Sequence, residues 1–113
     1  MNLRSSRIGA AVAALLVTLA LAMHAQAETK YVINHDVWGG YQEYLKTIGS
    51  TKAGAFAITA DGGNYFYTWC PGLHCLGGVS WSHEAKSKCE AEYDVECVVF
   101  AVRRDIRLDY EIK

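Results

Sequence analysis

The loop Trp69-Cys70-Pro71-Gly72-Leu73-His74-Cys75 places two thiols and an imidazole close together in the chain. Soft sulfur and imidazole suit zinc or copper, so Cys70, His74 and Cys75 form a candidate metal set. Their spacing is not that of a standard structural zinc motif, nor the Cys-x-x-Cys-His of haem attachment. It is also wider than the Cys-x-x-Cys that tunes thiol acidity in oxidoreductases. The simpler chemistry is a Cys70–Cys75 disulfide that closes the loop and leaves His74 exposed, in which case no cofactor is held.

Two short runs set a base beside a carboxylate, His35-Asp36 and Ser82-His83-Glu84. A nucleophilic centre would need Ser80 or Ser82, a histidine and an acid brought together with an oxyanion hole. Sequence neighbours rarely face one another that way, so capping and solvation are the expected roles. Glu90, Glu92, Asp94 and Glu96 read as a solvated edge, since calcium needs a tighter oxygen cage. The aromatic residues are the remaining resource. Tyr65, Tyr67, Trp69 and Trp81, with His74, make a candidate binding surface built from a hairpin face and the Cys70–Trp81 loop.

The chain has 113 residues, four cysteines and a formal net charge of −1. Arg4 and Arg7, the apolar run Ile8 to Met23, and Ala25-Gln26-Ala27 form the pattern of a cleavable export signal over residues 1–27. The run is short for a membrane span, which needs about 20 apolar residues. No stable span is expected after cleavage. Residues 28–113 then form one domain, expected to be periplasmic or secreted. A domain this small is marginal by hydrophobic burial alone. An even cysteine count in an exported chain implies a disulfide framework, and four cysteines allow three pairings. Cys70–Cys75 with Cys89–Cys97 is the expected set, because each pair is local. Arg103, Arg104 and Arg107 are diluted by Asp105 and Asp109, and no basic patch interleaves with aromatics, so nucleic acid is not an expected partner.

The elements that must position these residues follow from periodicity. Glu28 to Asn34 reads as a frayed lead-in. Asp36 is placed to cap a helix running to about Ile48, with Val37, Tyr41, Tyr44, Leu45 and Ile48 on its apolar face and Gly39-Gly40 weakening its start. Gly54 to Ala60 and Tyr65 to Trp69 read as a β-hairpin around the turn Asp61-Gly62-Gly63-Asn64, the first strand being the central one. After the irregular loop, Ser82 is placed to cap a helix whose face carries Ala85, Cys89 and Tyr93. A strand follows, with Val95, Cys97, Val99 and Ala101 pointing one way and Val98, Phe100 and Val102 the other. A helix folded back on that strand would bring Cys89 to Cys97. Arg103 to Lys113 reads as either an edge strand or a packed tail. The fold class is α+β, α-β-β-α-β in order: a small antiparallel or mixed sheet of three to four strands, two helices that either cover its two faces or leave one aromatic face bare, and disulfide staples.

The Ala85-x-x-x-Cys89 helix followed by Cys97-x-Val99-Phe100-Ala101, with Phe56-Ala57 and Asp61-Gly62 upstream, resembles small exported bacterial proteins of unknown function. The resemblance spans roughly Gly54 to Val102. It implies the fold and the compartment, and carries no catalytic motif.

These residues together favour a binding or interaction module of the periplasm or cell exterior, with an envelope protein, a glycan or a second copy as partner. Metal handling through Cys70, His74 and Cys75 is the alternative. A small envelope hydrolase or an enzyme inhibitor comes last, because so small a domain leaves little room for a pocket and its supporting shell.

Overall fold

The computed structural model describes residues 29–72, 75 and 80–113. The expected export signal and His74 lie outside the described residues. The chain runs β1 (Lys30–Ile33), α1 (His35–Ile48), β2 (Gly54–Thr59), β3 (Tyr65–Trp69), α2 (Trp81–Tyr93), β4 (Cys97–Val102), β5 (Asp105–Ile106) and β6 (Asp109–Ile112). A four-stranded antiparallel sheet has the order β3-β2-β4-β5, and β1 pairs in parallel with β6. The α+β class, the hairpin, the central place of β2 and both disulfides are as the sequence led us to expect.

Every residue of β2 is buried, and its alternation divides the molecule into two unlike layers. Phe56 and Ile58 face α1, in a core with Val37, Tyr41, Tyr44, Ile48 and Phe100. The rings there meet edge to face: Tyr41 stands 5.4 Å from Phe56 and 5.2 Å from Phe100, both near perpendicular. Such pairs add about 0.5–1.5 kcal/mol beyond the area they bury. Gly40 is what lets α1 approach β3, because a Cβ there would run into the ring of Tyr65. The glycine that weakens the helix locally thus makes room for its packing.

The opposite layer is thin. Ala55 and Ala57 of β2 face Ala85 and Cys89 of α2, together with Cys97 of β4. These small side chains let α2 lie close to the sheet, and the Cys89–Cys97 disulfide, with Cα atoms 6.2 Å apart, joins them. Fully burying a large aliphatic or aromatic side chain is worth about 1.5–3 kcal/mol. The buried residues of α2 are only Ala85 and Cys89, so apolar burial gives this helix little. A disulfide closing a short loop contributes about 2–3 kcal/mol. Polar ties complete the attachment: Glu90 accepts the Cys97 N–H at 3.2 Å, the Tyr93 hydroxyl donates to the Tyr65 carbonyl at 2.8 Å, and the Thr68 hydroxyl donates to the Trp81 carbonyl at 3.3 Å.

Several local expectations are corrected. Asn34, not Asp36, caps α1, its side chain accepting the Val37 N–H at 2.8 Å; Asp36 lies in the first turn, where a carboxylate suits the helix dipole. Ser80, not Ser82, caps α2, its hydroxyl accepting the His83 N–H at 3.3 Å. The lead-in before α1 is a strand, because β6 supplies it with a partner distant in sequence. The last stretch is two strands rather than one. In β4, Phe56 pairs with Ala101 but Ala57 pairs with Val99, so Phe100 is an inserted bulge residue. The bulge resets the alternation: Phe100 and Ala101 both join the aromatic layer, while Cys97 stays on the thin side.

Two turns lock the layers. Gly62 has φ +76°, and a Cβ there would strike the Val32 carbonyl. Its own carbonyl accepts the Asn34 N–H at 3.2 Å, docking the hairpin turn on the start of α1. Asp61 organises that turn by accepting the Thr59 hydroxyl at 2.6 Å and the Gly63 N–H at 2.9 Å. These bonds, that from Thr59 foremost, hold its carboxyl below the usual range. The β4–β5 turn clasps the other end of α1. The buried Tyr44 hydroxyl donates to the Arg103 carbonyl at 2.6 Å, and the Arg104 guanidinium donates to the Leu45 and Gly49 carbonyls at 3.1 and 2.9 Å.

Three outcomes are expected. Replacing both Cys89 and Cys97 by alanine lowers unfolding stability by about 2–3 kcal/mol in denaturant titrations; an unchanged midpoint would show that the thin layer holds without its crosslink. Tyr44→Phe leaves the Arg103 carbonyl unpaired and costs about 1–3 kcal/mol, and Tyr41→Phe, whose contact to Arg104 is 3.5 Å, costs less by the same titration. Because the Asp61 pKa is depressed by folding, its contribution is full above the unfolded value of about 3.9 and is lost as pH falls through the lower folded value. Asp61→Ala should therefore flatten the acid limb of the stability–pH curve relative to the parent protein.

Candidate binding edge

With β2 central, β3 is left at one border of the sheet. Its sequence, Tyr65-Phe66-Tyr67-Thr68-Trp69, carries no charge. Sheet edges are commonly guarded by lysine, proline or a bulge, and among the described residues β3 has none within it. Cys70 donates its N–H to the Ala53 carbonyl at 2.8 Å, and Thr59 donates to the Asn64 carbonyl at 2.9 Å. Counting in steps of two from these pairs, the main-chain groups of Phe66 and Thr68 face β2. Those of Tyr65, Tyr67 and Trp69 face outward.

The side chains divide the other way. Tyr65 and Tyr67 stack on Phe56 in the aromatic layer, at centroid distances of 5.2 and 5.9 Å. Trp69 continues that row, 5.5 Å from Tyr67, and is 39% exposed. Phe66 and Trp81 pack at the margin of the thin layer. Between the edge and α2 lies an open groove of about 270 Å³, lined by Phe66, Thr68, Trp69, Pro71 and Trp81. Glu84 and Lys88 close it from the helix as an ion pair of 2.8 Å, so its charge is internally balanced. At the far end of β3, burial raises the Tyr93 pKa, the Glu92 carboxylate adding to it, so its hydroxyl stays a donor to Tyr65.

The candidate surface is thus distributed in a particular way. Tyr65 and Tyr67 are half-buried and mostly committed to the core, while Trp69 is open. Trp81 is the first residue of α2 rather than the end of a loop, and it meets the edge from the opposite side of the sheet. His74 lies outside the described residues. Pro71 belongs to the Cys70–Trp81 loop of the expected surface, whereas Phe66, Glu84 and Lys88 are additions made by the structure. The sequence signal was present in the period-two complement of Tyr65, Tyr67 and Trp69, and in the central place of β2, which makes β3 a border strand.

The other candidate chemistries separate in space. Cys70 and Cys75 are bonded to each other, so this form offers no thiolate pair to a metal. Among the described residues no group of three or more His, Cys, Asp or Glu side chains gathers into a metal-binding arrangement. His35 and Asp36 are exposed at the start of α1, whereas His83 is exposed on α2, its Nε2 3.5 Å from Ser87 Oγ. A second cavity of about 310 Å³ lies beside the Cys70–Cys75 disulfide, with Lys52 and Arg103 in its wall. Among the described residues no helix is long and apolar enough to cross a membrane. Comparison with protein-family models, curated proteins and solved structures gives no match.

Proposed function

We propose that the protein is a binding module of an oxidising compartment, the periplasm or the cell exterior, and that it recognises its partner at the β3 border. The observation that carries this reading is the coincidence of an uncharged aromatic border strand with the groove bounded by Trp69 and Trp81. Among the described residues, Trp69 is one of the few large apolar side chains left exposed. Tryptophan and tyrosine are the side chains most enriched at binding hot spots, where one face is dry and the other end meets water. Two disulfides in so short a chain suit a compartment where thiols oxidise. Such a border suits an envelope protein, a glycan or a second copy of the chain.

The test is a paired screen of the protein and its Trp69→Ala variant on a glycan array and a phage-displayed library of random linear peptides. Binders of the parent are expected to lose about tenfold or more in affinity with the variant, as for a hot-spot residue, while thermal unfolding stays unchanged. Binders indifferent to Trp69 would move recognition elsewhere, and the absence of any binder would remove the reading.

A further inference from the structure

We infer that the occupant of this border is an extended peptide segment of another protein, added to the sheet as a new strand beside β3. The inference rests on the binding reading above and deepens it.

The main chain of β3 is open along its outer side. Tyr67 and Trp69 present N–H and C=O groups outward, and among the described residues none of these is paired. A row of alternating donors and acceptors on a two-residue repeat is matched by another strand. A sugar or a flat ring has no such repeat.

A symmetric second copy is restricted in register. A two-fold antiparallel pairing of β3 with itself, centred on Tyr67, would set Tyr65 opposite Trp69 of the copy. The Tyr65 carbonyl already accepts the Tyr93 hydroxyl at 2.8 Å. A two-fold copy is therefore left with the register centred on Thr68, Tyr67 of one copy opposite Trp69 of the other, beyond which Pro71 has no N–H to offer; an extended segment of another protein needs no such symmetry.

The two faces of the border constrain the side chains of the guest. Residues of an added strand alternate between the two faces of the sheet. On one face they meet the groove beside Phe66 and Trp81; on the other they meet Trp69. The groove walls are mainly apolar, and the Glu84–Lys88 pair cancels its own charge. The fitting segment is uncharged and extended, with an apolar side chain directed to the groove.

The experiment uses peptides selected from the random linear library against the whole protein. Hydrogen exchange is read at individual amides by NMR, and affinities are compared for Trp69→Ala and Trp69→Pro. Both variants lose the indole, and only proline also removes the outward N–H, which a border strand tolerates. We expect selected peptides to slow exchange at Tyr67 and Trp69, and Trp69→Pro to bind about twofold to tenfold more weakly than Trp69→Ala, the equivalent of one hydrogen bond. Peptides that need Trp69 yet leave both amides unprotected, with the two variants equal, would overturn strand addition while the binding-module reading stands. So would glycan binders in the absence of peptide binders. A dimer in light scattering that protects Tyr67 and Trp69 without peptide would assign the border to a second copy and overturn the inference. Failure of every probe on both screens would remove the two readings together. Should Trp69→Pro unfold, the amide-exchange measurement on the parent protein decides alone.

Discussion

The alternation of β2 between large and small residues is the constraint that the rest of the molecule obeys. Phe56 and Ile58 on one face demand a thick partner, and α1 supplies it with Val37, Tyr41, Tyr44 and Ile48. Ala55 and Ala57 on the other face admit only a close one, and α2 supplies Ala85 and Cys89. The two helices are therefore held by different physics. The first is held by ring packing and apolar burial, which grow with the area removed from water. The second has little apolar area to bury and is held by a covalent bond, together with hydrogen bonds from Tyr93 and Thr68 and to Glu90. A close helix–sheet approach and a local disulfide are consequences of the same small residues.

Much of this was legible in the sequence because it is local. The helical spacing of Val37, Tyr41, Tyr44 and Ile48, the hairpin turn at Asp61-Gly62, and the Cys89–Cys97 pair each involve residues near one another in the chain. What could not be read was set by partners far away. Lys30 to Ile33 carries the strand formers Tyr31, Val32 and Ile33, but the run is short and its partner β6 is far away in the chain, so it reads as a lead-in. The bulge at Phe100 depends on how β4 meets β2, so strict alternation misplaced Ala101. Caps were misassigned by two residues because Asn34 and Ser80 each have a competing acceptor close behind them, Asp36 and Ser82, and the side chain that bonds is decided by where the helix backbone begins.

The candidate site was legible by half. Trp69 and Trp81 were singled out by type, and both border the groove. Tyr65 and Tyr67 belong to the same face as Trp69, yet α1 covers them, because Gly40 lets the helix come down over Tyr65. The contribution of Phe66 and the Glu84–Lys88 pair depends on α2 crossing beside β3, which no local pattern encodes. The loop that first suggested metal chemistry instead has its two sulfurs bonded to each other, with Cys70 buried against the end of the sheet.

The pairing of β1 with β6 joins the first described strand to the last. A chain is synthesised from its amino end, and domains fold as units once enough of them is available. Here the main-chain partner of Lys30 to Ile33 is delivered far later in the chain, down to the amide of Lys113, which donates to the Ile33 carbonyl at 2.9 Å. Until then the Lys30–Ile33 ribbon must wait with its hydrogen bonds turned to water. Loss of the residues from Asp109 onward would be felt at Lys30 to Ile33, a stretch that a vectorial process has long since left behind.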